Sequence, residues 1–298
     1  MAITLSSSFS DIASAIRTAK GVSTTYTPGN MANAIISLKF PVSGVTTEPE
    51  SVWTSGTDNE VLLMVEAAHA GEIDLTEYWS VGDTRSVSLS AMSEMSPLTD
   101  IHDAQTVEMV LMHANPDKYT YVTPSSSGRT KPFFIYGQKN CLTTKGMMYK
   151  TKPEEDSWPS WPRRTWCNTV YRNAIPAYLK TITKQVNVIT ATADRSANQT
   201  SQDYFFFPAG KEIVGGNATS VGSGTGYSAL IEYQALDQWL WYVAIVLRKK
   251  IVSSDTNTWW LRSTTNAGGC VGTVKWNGTI YQTYTGSNNF GIAPHGCI

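Results

Sequence analysis

The sequence predicts an α+β protein in which helices come first and strands follow, on three observations. Apolar residues recur at helical spacing as far as Ala68. β-Branched and alternating runs take over from Tyr78. Gly, Pro and Asn-Gly turns then punctuate the C-terminal half. At 298 residues the chain can bury a substantial core without staples. The pattern divides it into a helical unit at 1–40, a linker at 41–56 and a main domain at 57–298.

Ser8-Phe-Ser-Asp11 reads as a capping box, Phe9, Ile12 and Ile16 follow at helical spacing, and Lys20-Gly21 closes the helix. A second helix takes Thr27 as N-cap and Pro28 at its first position, places Met31, Ile35 and Leu38 on one face, and stops before Pro41. Two such short helices bury too little to stand alone, so they need a partner. Residues 41–55, rich in Pro, Ser, Thr, Gly and Val, suit an extended linker.

Thr57 and Glu60 form another capping box. Val61, Met64, Val65 and Ala68 share a helix face, and Gly71 ends it. "TRSVSLS", "TVEMVLMHA" and "KPFFIYG" read as strands, the second apolar on both faces and therefore central. Trp166 and Val170 mark a helical stretch, and Pro176 opens another through Leu179 and Ile182. "KQVNVIT" is strand-like, a Ser/Thr/Asn-rich loop follows, and "DYFFFPA" is too apolar to be exposed. Residues 217–227 form a Gly/Ser loop, and Trp239 to Val246, the most apolar stretch, is expected as a core element. "NTWWLRS" enters as a strand. Thr273 to Thr283 alternates around Asn277-Gly278, which predicts a hairpin with a type I′ turn, and "FGIAPHGCI" suits a final short strand tucked into the core.

The charge balance of 23 Lys and Arg against 24 Asp and Glu, with no basic tract, argues against a nucleic-acid surface. Charged residues are only 16 % while Trp and Tyr number 10 and 14, so Ser, Thr, Asn and Gly must cover much of the surface. The start, "MAITLSSSFSDIA", carries neither the basic nor the apolar region of a secretory signal, and no run reaches the length of a membrane span. A cytoplasmic product without membrane insertion is expected. Cys141, Cys167, Cys270 and Cys297 lie far apart and suit buried free thiols. His69, His102, His113 and His295 show no metal spacing, and Glu154-Glu155-Asp156 suits a solvated turn, so no cofactor, metal or catalytic residue is expected. Trp158, Trp161 and Trp166 either form a stacking platform or anchor a loop-rich fold. Trp259-Trp260 would put one ring on each face of a strand, one into the core.

In combination, "YWSVGDTRSVSLSAM", "AQTVEMVLM", "RRTWCNTVYRNAIPAYL", "DYFFFPAGKEIVGG", "WWLRS" and "FGIAPHGCI" resemble a domain family of unknown function from phage and prophage proteins of Gram-positive bacteria. "FSDIASAIRTAKG" with "YTPGNMANAIISL" resembles the helix pair that opens many phage tail and virion surface proteins. More distantly, the family is similar to the C-type-lectin-like fold of retroelement-diversified receptor-binding proteins and formylglycine-generating enzymes. Thr264 stands where many members have Pro, and the enzymes' closely spaced cysteine pair is absent, which argues against oxidase chemistry.

The resemblance implies a virion protein, assembled in the host cytoplasm, that docks on other virion proteins through its N-terminal helices as a homo-oligomer. Its last hairpin would be displayed to a host-cell surface glycan or protein. The ligand-binding face is expected to include Asn266, Lys275, Trp276, Asn277, Tyr281, Thr283, Tyr284, Asn288 and Asn289. Tyr and Trp would supply rigid contact area there, and Asn and Thr adaptable hydrogen bonds. If Tyr281 and Thr283 face out, then Ile280, Gln282 and Tyr284 face in unless a bulge intervenes. The alternatives are a head or tail decoration protein with no receptor, and an oxidase or glycan hydrolase, which would need a pocket with convergent titratable groups.

Overall fold

The computed structural model describes residues 12–14, 27, 42–155, 157–192, 194, 196–215, 236–252, 255–264 and 270–298. Of the two N-terminal helices expected at 8–21 and 27–38, residues 12–14 are helical, and the remainder lies outside the described residues apart from Thr27. The Gly/Ser loop expected at 217–227 lies outside them as well.

The α+β expectation holds: helices precede and interrupt a set of antiparallel sheets. Helix α1, Val52–Ser55, follows a 3₁₀ turn at Pro49–Ser51. Helix α2, Asp58–Ala70, begins at the predicted capping box, where the Glu60 N–H donates to Thr57 Oγ1 at 3.2 Å and the Thr57 N–H to Glu60 Oε2 at 2.8 Å. Gly71 closes it at φ +82°, a conformation that costs a residue without Cβ little. Val61, Met64, Val65 and Ala68 are buried, as their spacing requires.

The stretch expected as an extended linker is not one. Val52 and Trp53 have no exposure, and Val42 and Val45 are buried. The Trp53 indole N–H donates to Asp83 O at 3.2 Å and that of Trp79 to Pro49 O at 3.0 Å. Arg85 then ties the segment down, with Nη1 donating to Trp53 O and Gly56 O and Nη2 to Asp58. Composition signalled a loop, but three valines and a tryptophan had apolar area to bury, worth about 1.5–3 kcal/mol per large side chain.

Strands β1 (Thr84–Leu89), β2 (Gln105–Ala114), β4 (Phe134–Gln138), β7 (Phe205–Phe206) and β13 (His295–Cys297) make a five-stranded antiparallel sheet in the order β1-β2-β4-β13-β7. The last strand therefore lies between two others. Ile298 extends its pairing, accepting from the Phe133 and Phe134 N–H groups and donating to Phe134 O. A second sheet joins β3 (Thr120–Tyr121), β5 (Val186–Ala191) and β6 (Asn198–Asp203). Here β6 replaces part of the expected loop: Asn198, Thr200 and Gln202 are exposed while Ser201 and Asp203 are buried, and its backbone pairs with β5 from Val186↔Asp203 to Ala191↔Asn198. Helix α3 (Pro162–Trp166) runs through a π-turn at Cys167–Tyr171 into α4 (Arg172–Ala174), and α5 (Ala177–Ile182) follows.

Between α6 (Gly210–Val214) and the C-terminal strands, Trp239 to Val246 departs from expectation. Trp239 and Tyr242 are buried, but Leu240, Val243 and Val246 are 54 %, 61 % and 62 % exposed, because the segment forms short 3₁₀ turns whose three-residue period sends these side chains outward. No helix among the described residues is long and apolar enough to cross a membrane.

Candidate functional site

Strands β8 (Lys250–Val252) and β9 (Asp255–Asn257) pair as a ribbon that leads into a third sheet, β10 (Trp259–Thr264), β11 (Cys270–Val274) and β12 (Ile280–Thr285). Each residue of "WWLR" anchors this sheet in the body of the protein. Both tryptophans are fully buried, so the core takes both rings and not the one expected: the Trp259 indole N–H reaches Arg248 O at 2.9 Å and that of Trp260 reaches Gly146 O at 2.7 Å. Arg262 forks onto Glu212 with Nη1–Oε2 at 2.7 Å and Nη2–Oε1 at 2.9 Å, both side chains inaccessible, while Tyr119 OH donates to Glu212 Oε1. The base of the hairpin is thus rigidly held.

The turn at its tip differs from the predicted type I′. Lys275 N–H donates to Thr279 O and Gly278 N–H to Lys275 O, and positive φ falls on Gly278 alone, at +85°. A type I′ turn needs positive φ at both Asn277 and Gly278; the chain instead forms a three-residue loop with Gly278 in the left-handed position. Asn277 uses its Oδ1 locally, accepting from Thr279 N and Oγ1 at 3.1 and 2.7 Å, which stabilises the turn without positive φ.

At this tip Trp276 is 61 % exposed, and the Lys275 ammonium sits 3.4 Å above the Tyr281 ring centre. The register of β11 on β12 shifts between Val271↔Tyr284 and Thr273↔Tyr281, a bulge that breaks strict alternation. Thr283 and Tyr284 belong to β12, and Asn266 lies outside the described residues. Asn288 closes the next turn, its Nδ2 donating to Thr285 O at 3.1 Å. The expected residues thus fall into two groups, Lys275, Trp276, Asn277 and Tyr281 at the tip, and Asn288 and Asn289 beyond β12.

Asn289 also opens onto a cleft of about 720 Å³ with Thr99, Thr143, Thr144, Lys145 and Asn257. The loop at 143–147 is pinned across it by reciprocal Gly146 and Phe290 backbone hydrogen bonds of 2.9 and 3.2 Å. Asp100 lies in the wall, gripped by Arg163 through Nη1–Oδ2 at 2.9 Å and Nη2–Oδ1 at 2.5 Å, with His102 Nε2 at 2.8 Å. Burial alone would raise the Asp100 pKa, but the His102 and Arg163 hydrogen bonds and the guanidinium charge bring it down to about 2. That carboxylate is committed to holding the wall, and hydroxyls, amides and Lys145 line the space together with Ile101, Met147 and Val252. No motif announced this cleft, because its residues come from separated segments and none carries a recognisable signature by itself.

The remaining candidates have structural roles. Trp158, Trp161 and Trp166 are fully buried, so they anchor the fold and form no platform. His69 and His295 are buried against Tyr121 and Tyr242. Cys141, Cys167 and Cys297 are free and buried, with burial pushing the Cys141 thiol up to about 12. Among the described residues no group of three His, Cys, Asp or Glu could hold a metal ion. The chain matches no protein-family description, no curated protein and no solved structure.

Proposed function

We propose that this protein is a virion surface component whose C-terminal sheet displays a binding face to a host-cell surface glycan or protein, on a scaffold of C-type-lectin-like kind. The observation that carries the reading is the contrast within one sheet: β10 is locked by buried indoles and an ion pair, while the tip it supports exposes Trp276 beside Lys275 and Tyr281. Rigid aromatic area on a fixed base binds at low entropic cost. The neighbouring cleft, where hydroxyls, amides and Lys145 alternate with apolar Ile101, Met147 and Val252 around an ion-paired carboxylate, suits recognition of a polyhydroxylated ligand with apolar faces better than proton transfer. The virion setting rests on the resemblance of the quoted segments to phage and prophage proteins, with residues 8–38 as the docking helices.

The test is adsorption of the purified chain to intact Gram-positive cells and to arrays of their surface glycans. Saturable binding, reduced about tenfold or more in Trp276→Ala or Asn289→Ala with thermal stability unchanged, is expected. Absence of binding to every surface, or full binding by both variants, would overturn the reading.

A second reading, a decoration protein that lines subunit joints, draws on the outward Leu240, Val243 and Val246. An electron-microscopy map of a particle carrying the chain separates the two: the decoration reading places the β11–β12 tip against a neighbouring subunit, and the display reading places it toward solvent.

A further inference from the structure

We propose that a basic pocket beside the last strand binds an oxyanion, a phosphate, sulfate or carboxylate group carried on a larger polar molecule. The pocket shares no lining residue with the hairpin or its cleft and stands independently of the function proposed above.

Three cations converge there from neighbouring elements. Arg172 comes from α4, Lys180 from α5, and Lys184 from the bridge into β5, where its backbone N–H donates to Cys297 O at 2.9 Å. With Thr123, Gln185 and Tyr204 they line a space of about 220 Å³, and among the described residues no carboxylate lines it. At about 30 Å³ per water this is room for roughly seven waters, enough for a tetrahedral oxyanion and part of its carrier. Thr123 and Lys184 also line an adjoining cleft of about 380 Å³, where His69, Tyr121, Ser125, Ser126 and Glu66 offer further polar groups.

What marks the pocket is that three cations share it, whereas the other cations without a carboxylate partner among the described residues, such as Arg129, Arg248 and Lys250, are each met separately by carbonyl groups. Arg85, Arg163, Arg164, Arg262, Lys131 and Lys139 each pair with a carboxylate. Among the described residues, the pocket cations do not. The Arg172 guanidinium lies 3.6 Å from the Tyr204 ring centre, and its Nε is shielded from solvent with no acceptor. Lys180 Nζ donates to the neutral Asn173 O at 3.0 Å. Like charges held together repel, so an arriving anion would relieve that repulsion. The field reaches into the adjoining cleft: His69 is held down to about 4, first by burial and then by the positive charges of Lys184 and Arg129.

The experiment is a heteronuclear NMR titration of the full chain at low ionic strength with inorganic phosphate, sulfate, glycerol phosphate and glucuronate as separate probes. Saturable shifts at Lys184, Thr123 and His69 are expected, weakening as sodium chloride is added. Lys184→Gln and Lys180→Gln should each lower affinity about tenfold, the loss of one charge-assisted hydrogen bond, while Lys184→Arg retains binding and Trp276→Ala leaves it unchanged. Tighter glycerol phosphate identifies a phosphorylated carrier, and tighter glucuronate an acidic sugar. Should Lys184→Gln fail to fold, Lys180→Gln decides, since only a head group bonded to one carbonyl is lost. No saturable binding of any probe, or unchanged affinity in the folded Gln variants, overturns the proposal.

Discussion

Replacing Arg262 by Met tests how the display sheet is held. In the native protein the Arg262 and Glu212 side chains are both inaccessible. Each Glu212 oxygen is doubly engaged, Oε1 by Arg262 Nη2 and Tyr119 OH, Oε2 by Arg262 Nη1 and the Ala209 N–H at 2.7 Å. Arg262 also donates to Phe207 O at 2.7 Å and to Ile189 O from Nη2 at 3.2 Å. Arg262→Met leaves a buried carboxylate without its counter-charge, and removing one partner of such a pair costs about 3–5 kcal/mol. At about 2–4 °C per kcal/mol for a chain approaching this size, the midpoint should fall by roughly 6–20 °C in calorimetry. Glu212→Gln strands the guanidinium and should fall in the same range. The double variant Arg262→Met/Glu212→Gln removes both charges and should recover part of the loss, because the two single costs are not additive at contact distance. Single variants costing less than about 1 kcal/mol, or a double variant at the full sum, would refute the reasoning.

Three other outcomes follow from the same geometry. The folded-state pKa of Asp100 lies below the unfolded value, so its contribution is complete above about pH 4 and is lost as pH falls through about 2. Urea denaturation from pH 5 to pH 2 should therefore show a steeper acid-side loss, by about 2 kcal/mol, in wild type than in Asp100→Asn. A methyl group at Gly146 would meet Arg163 Nη2 at 2.6 Å and Asp100 Oδ2 at 2.7 Å, so Gly146→Ala should cost about 1–3 kcal/mol and shift the Asp100–Arg163 wall, visible in a crystal structure of the variant. Gly278→Ala places a Cβ at φ +85° and should cost about 1 kcal/mol in chemical denaturation, whereas an unchanged midpoint would show that the turn relaxes freely.

Local signals in the sequence carried through where the physics was local. The capping box at Thr57, the face of α2 and the closing strand at His295–Cys297 depend on residues within a few positions of one another. Errors arose where composition stood in for packing. The Pro- and Thr-rich run before Thr57 buries Trp53 because Arg85, from a distant strand, satisfies its carbonyls. The polar run at Asn198–Asp203 pairs as a strand because β5 offers a full ladder. The turn at Asn277 needed no second positive φ once the Asn side chain could bond Thr279.

By itself the sequence determined an α+β chain with its aromatic groups spread along it and a polar hairpin near its end, since periodicity and turn chemistry are written in neighbouring residues. Only the tertiary structure decided that the last strand runs between two others, that both tryptophans of "WWLRS" are buried, and that Asn289 meets Thr143, Lys145 and Asn257 around one cleft. It likewise brought Arg172, Lys180 and Lys184 into one pocket without a carboxylate. Convergence of this kind depends on how elements far apart in the chain pack, and no spacing along the chain encodes it.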